Sequence, residues 1–555
     1  MTNRANAAIY YATDGYKPED KGINGRRVAG ASFLRGFLHH AEVEEFVFLT
    51  KTSGEINEIN EIKRFHEKSK FRKPLRVAGL LNPQEIAPVE VLYYPAANIA
   101  SEAWRRARFG AGAWALCGLT HTTSTPAIMQ GLFDLRMAPV MAWDAVICTS
   151  RAVQASVSTQ IDLIDGYIGQ RFGTAPPARP MLPVIPLGVH CQDFARNGAA
   201  RASLRAQLGA AETDVVFATI ARLNPHEKFD PLPIFIAMQA AVANLPAGVK
   251  MHVVMCGQFR QPYARDVFEK GAARLMPDVG FLLLDGAKAE ERQRTLSGGD
   301  VFLFMIDNIQ ETFGLAPLEG MAAGLPVLAS DWDGLKDTVT ADCGLRVTSR
   351  LLGPHHMANE SARLQGGIDS FPQYSAAVSA MTELDMGDMA AKIVALASHP
   401  DLRARLGAGA LARAKTTYDW AAVIPQMQEL WAEQAARKAA STKVAPIPAY
   451  ALPIAPSPSL LFASYPSEVA RLSEERFMAL DRSGQIGLQD MLALRNYTAL
   501  NHIFAPPNRI AAVYDAVQAG EETVQAIAAA TKTSAMVVER VEMWLLKYDF
   551  VRRIT

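Results

Sequence analysis

The stretch Glu311-Thr-Phe-Gly-Leu-Ala-Pro-Leu-Glu319, continued by Gly-Met-Ala-Ala-Gly324-Leu-Pro-Val, places two glutamates eight positions apart. Pro317 is typical of the first position of a helix, and Gly324 is typical of the residue just past a helix end. These signals predict a short helix with Glu319 in its first turn and Glu311 on the preceding loop. Free backbone N–H groups and the positive helix end would then lie between the carboxylates, which suits an anionic ligand flanked by hydroxyls. The alternative is that both are incidental loop and helix-start residues.

Outward from this stretch, short β-rich runs alternate with helical patterns, which favours parallel sheets covered by helices on both faces. The pattern runs from Ala7 to about Asp193 and restarts at Val215. It predicts two doubly wound domains joined near residues 194–212, with ligands at the carboxyl ends of strands in the cleft between them. The predicted strands are 8–12, 45–49, 91–94, 114–120, 145–149, 182–187, 215–220, 252–257, 280–284, 301–304 and 327–330.

Composition narrows the class of protein. The chain has 555 residues, too many for one core, and 56 basic and 56 acidic residues, which give no overall bias toward nucleic acid or acidic lipid. The five cysteines are scattered without a C-x-x-C pair, as expected for reduced core residues. There is no secretion signal and no apolar run of roughly 18 residues, so a soluble cytoplasmic protein is expected.

A second motif, Arg222-Leu-Asn-Pro-His-Glu-Lys228, directly follows a predicted strand. Its two cations could be ordinary charges beside a helix start, or they could hold a diphosphate. Near the N-terminus, Lys21-Gly22-Ile-Asn-Gly25 forms a glycine-bearing loop whose backbone could approach a phosphate closely. This loop does not match G-x-G-x-x-G, which disfavours a nicotinamide enzyme. His121 follows another strand; it could be structural or could donate to a hydroxyl or phosphate oxygen when neutral.

Together, E-x7-E with Phe-Gly inside it and the following Glu-Gly-Met-Ala-Ala-Gly-Leu-Pro-Val resemble the donor-binding signature of retaining glycosyltransferases of family 4. The resemblance covers about residues 7–435 and implies an α/β GT-B fold: two doubly wound Rossmann-like domains facing a cleft. It implies metal-independent, retaining transfer of a hexose-type sugar from a nucleotide-diphosphate sugar, most often UDP- or GDP-linked. Acceptors of such enzymes are glycans, lipid-linked molecules or other hydroxyl compounds, typically in bacterial surface polysaccharide or glycolipid synthesis.

The resemblance also assigns roles to individual residues. Glu311 would hold the sugar hydroxyls and Glu319 the ribose hydroxyls. Arg222 and Lys228 would hold the diphosphate, although this chain spaces them six positions apart where five is common in the family. The remaining contacts would come from backbone N–H groups and from the first domain: Phe313, Gly314, Leu315, Gly25 and His121. The implied catalytic set is Glu311, His121, Arg222 and Lys228, with no metal and no cofactor.

The domain boundaries expected from the sequence are 1–195 for the acceptor-side domain and 196–437 for the donor domain with its closing helices. A Pro/Ala-rich linker, 438–460, leads to a mostly helical extension, 461–555, that resembles a winged helix. Residues 401–437 are predicted to be helical throughout. In the extension, two helices are expected over 521–530 and 534–547, with a strand at 550–554. Because residues 507–555 carry six basic and six acidic side chains, a protein-docking or oligomerisation role is favoured over nucleic-acid binding.

Two basic segments suggest a further contact. Residues Lys63 to Arg76 hold seven Lys or Arg and one Glu, and Trp104-Arg-Arg-Ala-Arg-Phe adds a second basic-aromatic stretch. These segments are either solvated faces or a surface that meets anionic lipid or a charged acceptor at the inner face of the membrane.

Two apparent metal motifs are rejected. Asp331-Trp-Asp333 spells D-x-D but follows the E-x7-E unit, and Asp481 to Asp490 resembles a calcium loop with the wrong residues at its turn and final position. The alternative function is a catalytically idle GT-B-like scaffold that binds nucleotide sugar and recruits partners through the extension. Loss of turnover on Glu311→Ala would separate the enzyme from the scaffold.

Overall fold

The computed structural model describes residues 5–16, 25–51, 56–68, 73–495 and 504–554, and its contacts divide the chain into Met1–Ile447 and Pro448–Thr555. Within the described residues, the first sheet has six parallel strands in the order β3-β2-β1-β4-β5-β6. The strands are β1 (Ala8–Tyr10), β2 (Phe46–Thr50), β3 (Leu75–Gly79), β4 (Val91–Tyr93), β5 (Ala115–Leu119) and β6 (Ala145–Ile147). The helices are α1 (Thr13–Tyr16), α2 (Gly25–His40), α3 (Ile56–Lys68), α4 (Ala100–Ala107), α5 (Pro126–Met137) and α6 (Arg151–Phe172).

The second sheet repeats this topology, with the described strands in the order β12-β11-β10-β7-β8-β9. The strands are β7 (Val215–Arg222), β8 (Met251–Gln258), β9 (Gly280–Asp285), β10 (Val301–Phe304), β11 (Val327–Ser330) and β12 (Gly344–Val347). The helices are α7 (Gly198–Leu208), α8 (Pro231–Val242), α9 (Pro262–Leu275), α10 (Ala289–Gly298), α11 (Leu315–Ala322) and α12 (Leu335–Thr338). In both sheets the strand order reverses between the first and fourth strands, the position at which doubly wound folds bind ligands.

The strands form where the sequence is continuously apolar because a parallel sheet covered on both faces buries every side chain. All five residues of β2 and of β5 are buried. The two strands that the sequence patterns did not predict, β3 and β12, lie at sheet edges, where the burial requirement is weaker. Conversely, the predicted strand at 182–187 is wrong. Pro183 and Pro186 lack N–H groups, and the segment forms only isolated bridges beside β6.

After β12 the chain adds a short hairpin and then long helices. The hairpin strands are β13 (Ser349–Leu351) and β14 (Thr382–Leu384), which pair antiparallel. The helices are α13 (Ala358–Gln365), α14 (Phe371–Ala380), α15 (Met386–Ser398), α16 (Pro400–Arg413) and α17 (Trp420–Ala439). A π-helical turn, Ala414–Tyr418, follows α16. The prediction of continuous helix over 401–437 is wrong at Asp419, which is extended with ψ 142° and caps α17.

Helix α17, the last described helix of Met1–Ile447, packs on the first domain. The indole N–H of Trp420 donates to the Ser32 hydroxyl at 2.8 Å, and the amide of Gln434 donates to the Leu116 carbonyl at 2.8 Å. Trp420 fits because both neighbours are glycines: a Cβ on Gly36 or on Gly188 would lie 2.5 Å from its ring. The closing helices expected from the sequence are therefore present.

Pro448–Thr555 has its own hydrophobic core, built around Phe477, Ile510, Val538 and Leu545. Its helices are α18 (Pro458–Leu461), α19 (Leu488–Arg495), α20 (Pro507–Gln518), α21 (Val524–Thr531) and α22 (Ala535–Lys547), and its strands are β15 (Arg476–Ala479) and β16 (Val551–Ile554), which pair antiparallel. The two predicted helices and the terminal strand are present, and the winged-helix assignment stays a prediction. The Asp481–Asp490 segment is a turn leading from β15 into α19, so the prediction that it connects helices is wrong.

The described architecture confirms the predicted α/β GT-B fold, with two doubly wound domains and a small, mostly helical C-terminal unit. The finer domain boundaries stay predictions. In the segment predicted as a linker, α17 extends to Ala439 and the division between units falls after Ile447.

Candidate active site

The candidate site lies at the switch point of the second sheet, where the strand order reverses between β7 and β10. β7 and β10 are neighbours there and run parallel, so their carboxyl ends open on the same edge. Arg222 is the last residue of β7, and Glu311 lies on the loop that follows β10. Topology therefore brings together two motifs that are almost 90 positions apart in the sequence.

The loop after β7 is organised by Asn224, which is buried. Its side-chain oxygen accepts the N–H groups of His226 at 3.0 Å and Glu227 at 3.2 Å, and its carbonyl accepts the N–H of Lys228 at 3.1 Å. This compact turn accommodates the six-position spacing and returns Lys228 to the strand edge.

Lys228 and Glu311 form a direct ion pair from the Nζ of the lysine to Oε2 of the glutamate. Their side chains are only 16% and 14% exposed, and the ammonium also lies 4.9 Å from the centre of the Phe304 ring. Burial by itself would raise the pKa of Glu311. The charge of Lys228 and the N–H groups of Phe313 and Gly314 overcome that effect and lower the pKa below its usual value. Glu311 is therefore held as a carboxylate.

Arg222 is held by residues of the loops that follow β7 and β10. Its Nη2 donates to Oε1 of Gln310 at 2.5 Å, and its Nη1 lies 3.7 Å from a carboxylate oxygen of Glu227. Glu227 is also 3.7 Å from Arg260. Burial and the nearby Arg260 lower the pKa of Arg222. Three cations, Arg222, Lys228 and Arg260, thus surround the carboxyl ends of β7 and β8.

The helix start differs from the prediction. α11 begins at Leu315, so Pro317 is its third residue and Glu319 lies in its second turn. The chain turns at Gly314, where φ is 82°, a conformation that favours glycine. The N–H of Gly314 donates to Oε1 of Glu311 at 3.0 Å. The expectation that this N–H is free is therefore wrong, because the glutamate of the same loop accepts it. Gly324, with φ 75°, follows the helix end as predicted.

Glu319 faces the cleft between the domains. Burial raises its pKa to about 7, and the charge of Arg292 opposes that rise. A cavity of about 530 Å³ adjoins it, lined by residues of α2, of the crossover near 188–194 and of α11. The polar lining includes Arg35, on α2, and Asp193, on the segment near 188–194. Their side chains form an ion pair at 2.5 Å.

The first domain reaches the loop between the glutamates. The Thr312 hydroxyl donates to the His121 carbonyl at 3.0 Å, and the Ser150 hydroxyl donates to the Thr312 carbonyl at 3.2 Å. The N–H of Arg151, which begins α6, donates to Asp337 at 2.6 Å. The structure therefore brings His121 to the E-x7-E loop through its backbone. Gly25 begins α2, whereas the preceding residues Lys21 and Gly22 lie outside the described residues.

Three further residues belong to the site, and the sequence patterns did not single them out. Gln310 holds Arg222, as described above. The Asn308 side chain donates to the His226 carbonyl at 2.8 Å, which ties the loop after β10 to the loop after β7. Asp333, dismissed above as part of a false metal motif, lies close enough to Glu311 for that carboxylate to raise its pKa, although burial is the larger cause. Among the described residues, no group of three His, Cys, Asp or Glu side chains could hold a metal ion.

The basic side chains of residues 63–76 differ in their exposure and in their partners. Lys63 and Arg64 are exposed on α3, but Lys73 donates to the Ala41 carbonyl at 2.9 Å and Arg76 pairs with Glu45 at 2.5 Å. The side chain of Lys68, with residues Lys70 and Arg72, lies outside the described residues.

In the segment after Trp104, the prediction of a basic surface is wrong for Arg106 and stays a prediction for Arg108, which is exposed. Arg106 is fully buried against Asp144 at 2.6 Å, and Arg105 pairs with Glu102. No helix in the described part of the chain has the length and apolar character needed to cross a membrane.

The second domain is similar to a known protein family. The family described as "Glycosyl transferases group 1" matches residues 200–356, the segment that contains Arg222, Lys228, Glu311 and Glu319. One protein to which the chain is similar is a GDP-mannose-dependent monoacylated alpha-(1-6)-phosphatidylinositol monomannoside mannosyltransferase of Corynebacterium glutamicum, 27% identical over 209 residues. That similarity covers 36% of this chain, and the chain spans about half (52%) of the relative's length.

Among solved structures, this chain is similar to Anabaena Alr3699/HepE in complex with UDP and glucose, at 15% identity and a TM-score of 0.46. That similarity covers 77% of this chain and 99% of the other. It is also similar to a sucrose-phosphate synthase from Thermosynechococcus elongatus, at 16% identity and a TM-score of 0.44, over 78% of this chain and 100% of the other.

Proposed function

We propose that this protein is a glycosyltransferase that moves a hexose-type sugar from a nucleotide-diphosphate sugar to a hydroxyl acceptor. The observation that carries the proposal is the buried Lys228–Glu311 ion pair at the switch point, with Arg222 beside it on Gln310. It brings phosphate-binding cations and a sugar-binding carboxylate into one cluster. The similarity of residues 200–356 to the glycosyl transferases group 1 family supports the same assignment.

Each residue has a role in this proposal. Lys228 and Arg222 bind the diphosphate, on which negative charge grows as the sugar–phosphate bond breaks, so fixed cations stabilise the transition state. Glu311 accepts hydrogen bonds from sugar hydroxyls, and Glu319 accepts them from the ribose. The N–H groups that begin α11 have no partner within the helix and face the same ligand. His121, whose backbone is tied to Thr312, contacts the sugar from the first domain, and Gly25 lies near the diphosphate.

Donor binding requires the resting pair to open. Lys228 cannot bind a diphosphate with its full charge while it is bound to Glu311, and Glu311 cannot accept from a sugar hydroxyl with the same oxygen. A bound donor replaces both partners of the pair. Its phosphate oxygens take the place of the Glu311 carboxylate at Lys228, and its sugar hydroxyls take the place of the Lys228 ammonium at Glu311. The pair therefore keeps two buried charges neutralised until the donor arrives.

We propose that the transfer retains anomeric configuration and needs no metal. The acceptor oxygen bonds to the anomeric carbon on the face from which the diphosphate leaves, and the acceptor proton passes to the departing phosphate oxygen. Arg222 and Lys228 meet the charge of the leaving group. A trapped covalent glycosyl–protein adduct would contradict this same-face mechanism.

The acceptor is proposed as a glycan or lipid-linked molecule in bacterial surface polysaccharide or glycolipid synthesis, at the inner face of the membrane. The donor is proposed to be GDP- or UDP-linked. The relative from Corynebacterium glutamicum, by its name, uses GDP-mannose and a phosphatidylinositol monomannoside, which supports a GDP-linked donor and a lipid-linked acceptor. Lys63 and Arg64, exposed on α3, are the described part of the proposed lipid contact. The extension, 461–555, is proposed to dock a protein or a second copy of the chain.

The proposal is tested by calorimetric binding of UDP-, GDP- and ADP-sugars, followed by transfer assays with the donor that binds. Glu311→Gln should abolish transfer and leave the nucleoside diphosphate bound. Glu429→Gln, an exposed glutamate on α17, is the matched control and should leave both unchanged. Donor binding without turnover in the wild type would instead favour the idle scaffold, and no binding of any nucleotide sugar would reject both.

A further inference from the structure

Asp333, in the loop after β11, has features that an ordinary loop aspartate lacks. Its φ is 41°, in the left-handed region that residues other than glycine rarely adopt. Its Oδ1 accepts the N–H of Leu335 at 3.1 Å. Its Oδ2 is buried and has no hydrogen-bond partner among the described residues. A strained backbone and an unpartnered buried oxygen in one residue both cost free energy and mark a position with a functional role.

The Asp333 loop packs directly against the E-x7-E loop. A Cβ on the adjacent Gly334 would lie 2.6 Å from the carbonyl oxygen of Thr312 and 2.8 Å from Cα of Phe313. The same Cβ would lie 3.2 Å from the Ser150 side chain of the first domain. Only glycine fits there, so the loop approaches closely enough for Asp333 and Glu311 to interact. Burial is the main reason that the pKa of Asp333 is raised, and the Glu311 carboxylate adds to it while Lys228 opposes it.

Asp333 forms no ion pair with a cation in the part of the chain that the structure describes. From the second domain, Glu311 and Lys228 face it, and those two are already paired with each other. On its own segment, Asp331 pairs with Arg346 at 3.0 Å and Asp337 accepts the N–H of Arg151. The charge of one ammonium, that of Lys228, thus acts on both carboxyl groups. When two carboxyl groups interact in a buried site, the negative charge of one favours the protonated form of the other.

We propose that Asp333 is a positioning residue of the donor site that acts through Glu311 by keeping a proton beside its carboxylate. This inference rests on the proposed function, because it concerns what happens when a diphosphate draws Lys228 away. At that moment Glu311 loses its counter-ion, and an ionised Asp333 would place a second negative charge beside it. A protonated Asp333 prevents that, so Glu311 stays an ionised acceptor for the sugar hydroxyls and the diphosphate is not repelled.

The variants Asp333→Asn and Asp333→Gly separate the proton from the shape of the side chain. Asparagine keeps a neutral hydrogen-bonding group of the same size, and glycine removes the group while relaxing the positive φ. Asp331→Asn, two residues away, is the matched control. In transfer assays from pH 6 to 10, Asp333→Asn should stay within about threefold of wild type, whereas Asp333→Gly should lose about tenfold or more in kcat. The decline in wild-type kcat/KM as pH rises through the raised pKa of Asp333 should disappear in Asp333→Asn and persist in Asp331→Asn.

A second measurement needs no donor. The free energy of unfolding of the full chain is compared between wild type and Asp333→Asn as pH rises. Because the pKa of this acid is raised in the folded protein, the wild type loses stability relative to the variant as pH rises from the ordinary aspartate pKa through that raised value. In a Glu311→Gln background this relative loss should shift to lower pH by a measurable fraction of a unit.

The two arms distinguish the possible failures. Wild-type protein that binds no nucleotide sugar would reject the proposed function, and the unfolding arm would still decide whether Asp333 keeps a proton that depends on Glu311. A pH-independent difference between wild type and Asp333→Asn, or the same difference with and without Glu311, would overturn the inference. So would an Asp333→Asn variant that is as impaired in transfer as Asp333→Gly.

Discussion

The hydroxyl of Thr312 donates to the carbonyl of His121 at 3.0 Å, and this bond joins the donor loop of one domain to a strand end of the other. Thr312 lies between Glu311 and Phe313, so the bond fixes the E-x7-E loop where both domains meet. The Ser150 hydroxyl holds the carbonyl of the same residue. A single threonine thus couples the candidate sugar site to the first domain.

Replacing Thr312 by valine should loosen this coupling. The change keeps the shape of the side chain and removes the hydrogen bond from the Thr312 hydroxyl to the His121 carbonyl, at a cost of about 1 kcal/mol in unfolding free energy. We expect the rate of sugar transfer to fall more than the affinity for donor, because the donor's main contacts lie on the second domain. Steady-state kinetics and chemical denaturation measure the two effects. Thr312→Ser, which keeps the hydroxyl, should behave as wild type.

Removing the cation from the Lys228–Glu311 pair should expose its electrostatic role. In Lys228→Met, Glu311 stays buried without a counter-ion, so its pKa should change from lowered to raised. The sign of the pH dependence then reverses. The wild-type contribution of Glu311 to stability is lost as pH falls through its lowered pKa, whereas in the variant stability is lost as pH rises.

Nucleoside diphosphate binding should weaken roughly 10- to 100-fold in Lys228→Met, since a charged hydrogen bond is lost. Calorimetry of UDP and GDP binding measures this. Lys270→Met, an exposed lysine on α9 paired with Asp266, should leave the affinity unchanged. Equal losses in both variants would show that bulk charge, and not the pair, governs binding.

Donor binding should release protons because of Glu319. Burial raises the pKa of this carboxyl to about 7, and ribose hydroxyls donate stronger hydrogen bonds to its ionised form than to its neutral form. Affinity should therefore rise with pH up to about 7 and then level off, and calorimetry in buffers of different ionisation enthalpy should detect the proton released. Glu319→Gln should show neither the rise nor the release.

Trp420 should be intolerant of side chains on the two glycines that contact it. Gly36→Ala would place a Cβ 2.5 Å from the ring, and we expect a loss of about 1–3 kcal/mol in unfolding free energy. Gly166→Ala, on α6, meets nothing within 4 Å and should instead stabilise the protein by roughly 0.5–1 kcal/mol. Thermal unfolding of the two variants provides the comparison, and equal shifts of the melting temperature would contradict this account of how Trp420 packs.

Glu542, on α22, should destabilise the C-terminal unit. The residue is fully buried, both carboxylate oxygens lack a partner among the described residues, and burial raises its pKa to about 7. Because the folded pKa is raised, stability falls as pH rises from about 4.5 to 7, by up to roughly 3 kcal/mol. Glu542→Gln should remove this pH dependence in unfolding experiments on the full chain. Glu542 is also one of the six acidic side chains of residues 507–555 on which the expectation against nucleic-acid binding rests. Because it is buried, its charge does not face a partner and gives no argument against nucleic acid.

Much of the site could be predicted because its signals are local. A carboxylate before a helix, a glycine at a left-handed turn and a cation at a strand end each follow from a few neighbouring residues. These signals left the roles of Glu311, Glu319, Arg222 and Lys228 open, and the resemblance to family 4 assigned them. The helix start was displaced by two residues because Pro317 also fits the third position of a helix. The proline-containing segment 182–187 appeared as a strand because apolar composition does not count backbone donors.

The sequence by itself determined the two doubly wound domains, because periodicity is a property of neighbouring positions. The resemblance to family 4 pointed to the closing helices and to the four charged residues of the candidate site. The tertiary structure decided which charges meet. Arg222 is bound to Gln310, 88 positions away, and Asp333 lies beside Glu311 because the Gly334 loop packs against Thr312. Such contacts depend on strand order and close packing between loops, and the residue types alone do not encode them. For that reason Asp331-Trp-Asp333, a false metal motif in the sequence, contributes its second aspartate to the site in the folded protein.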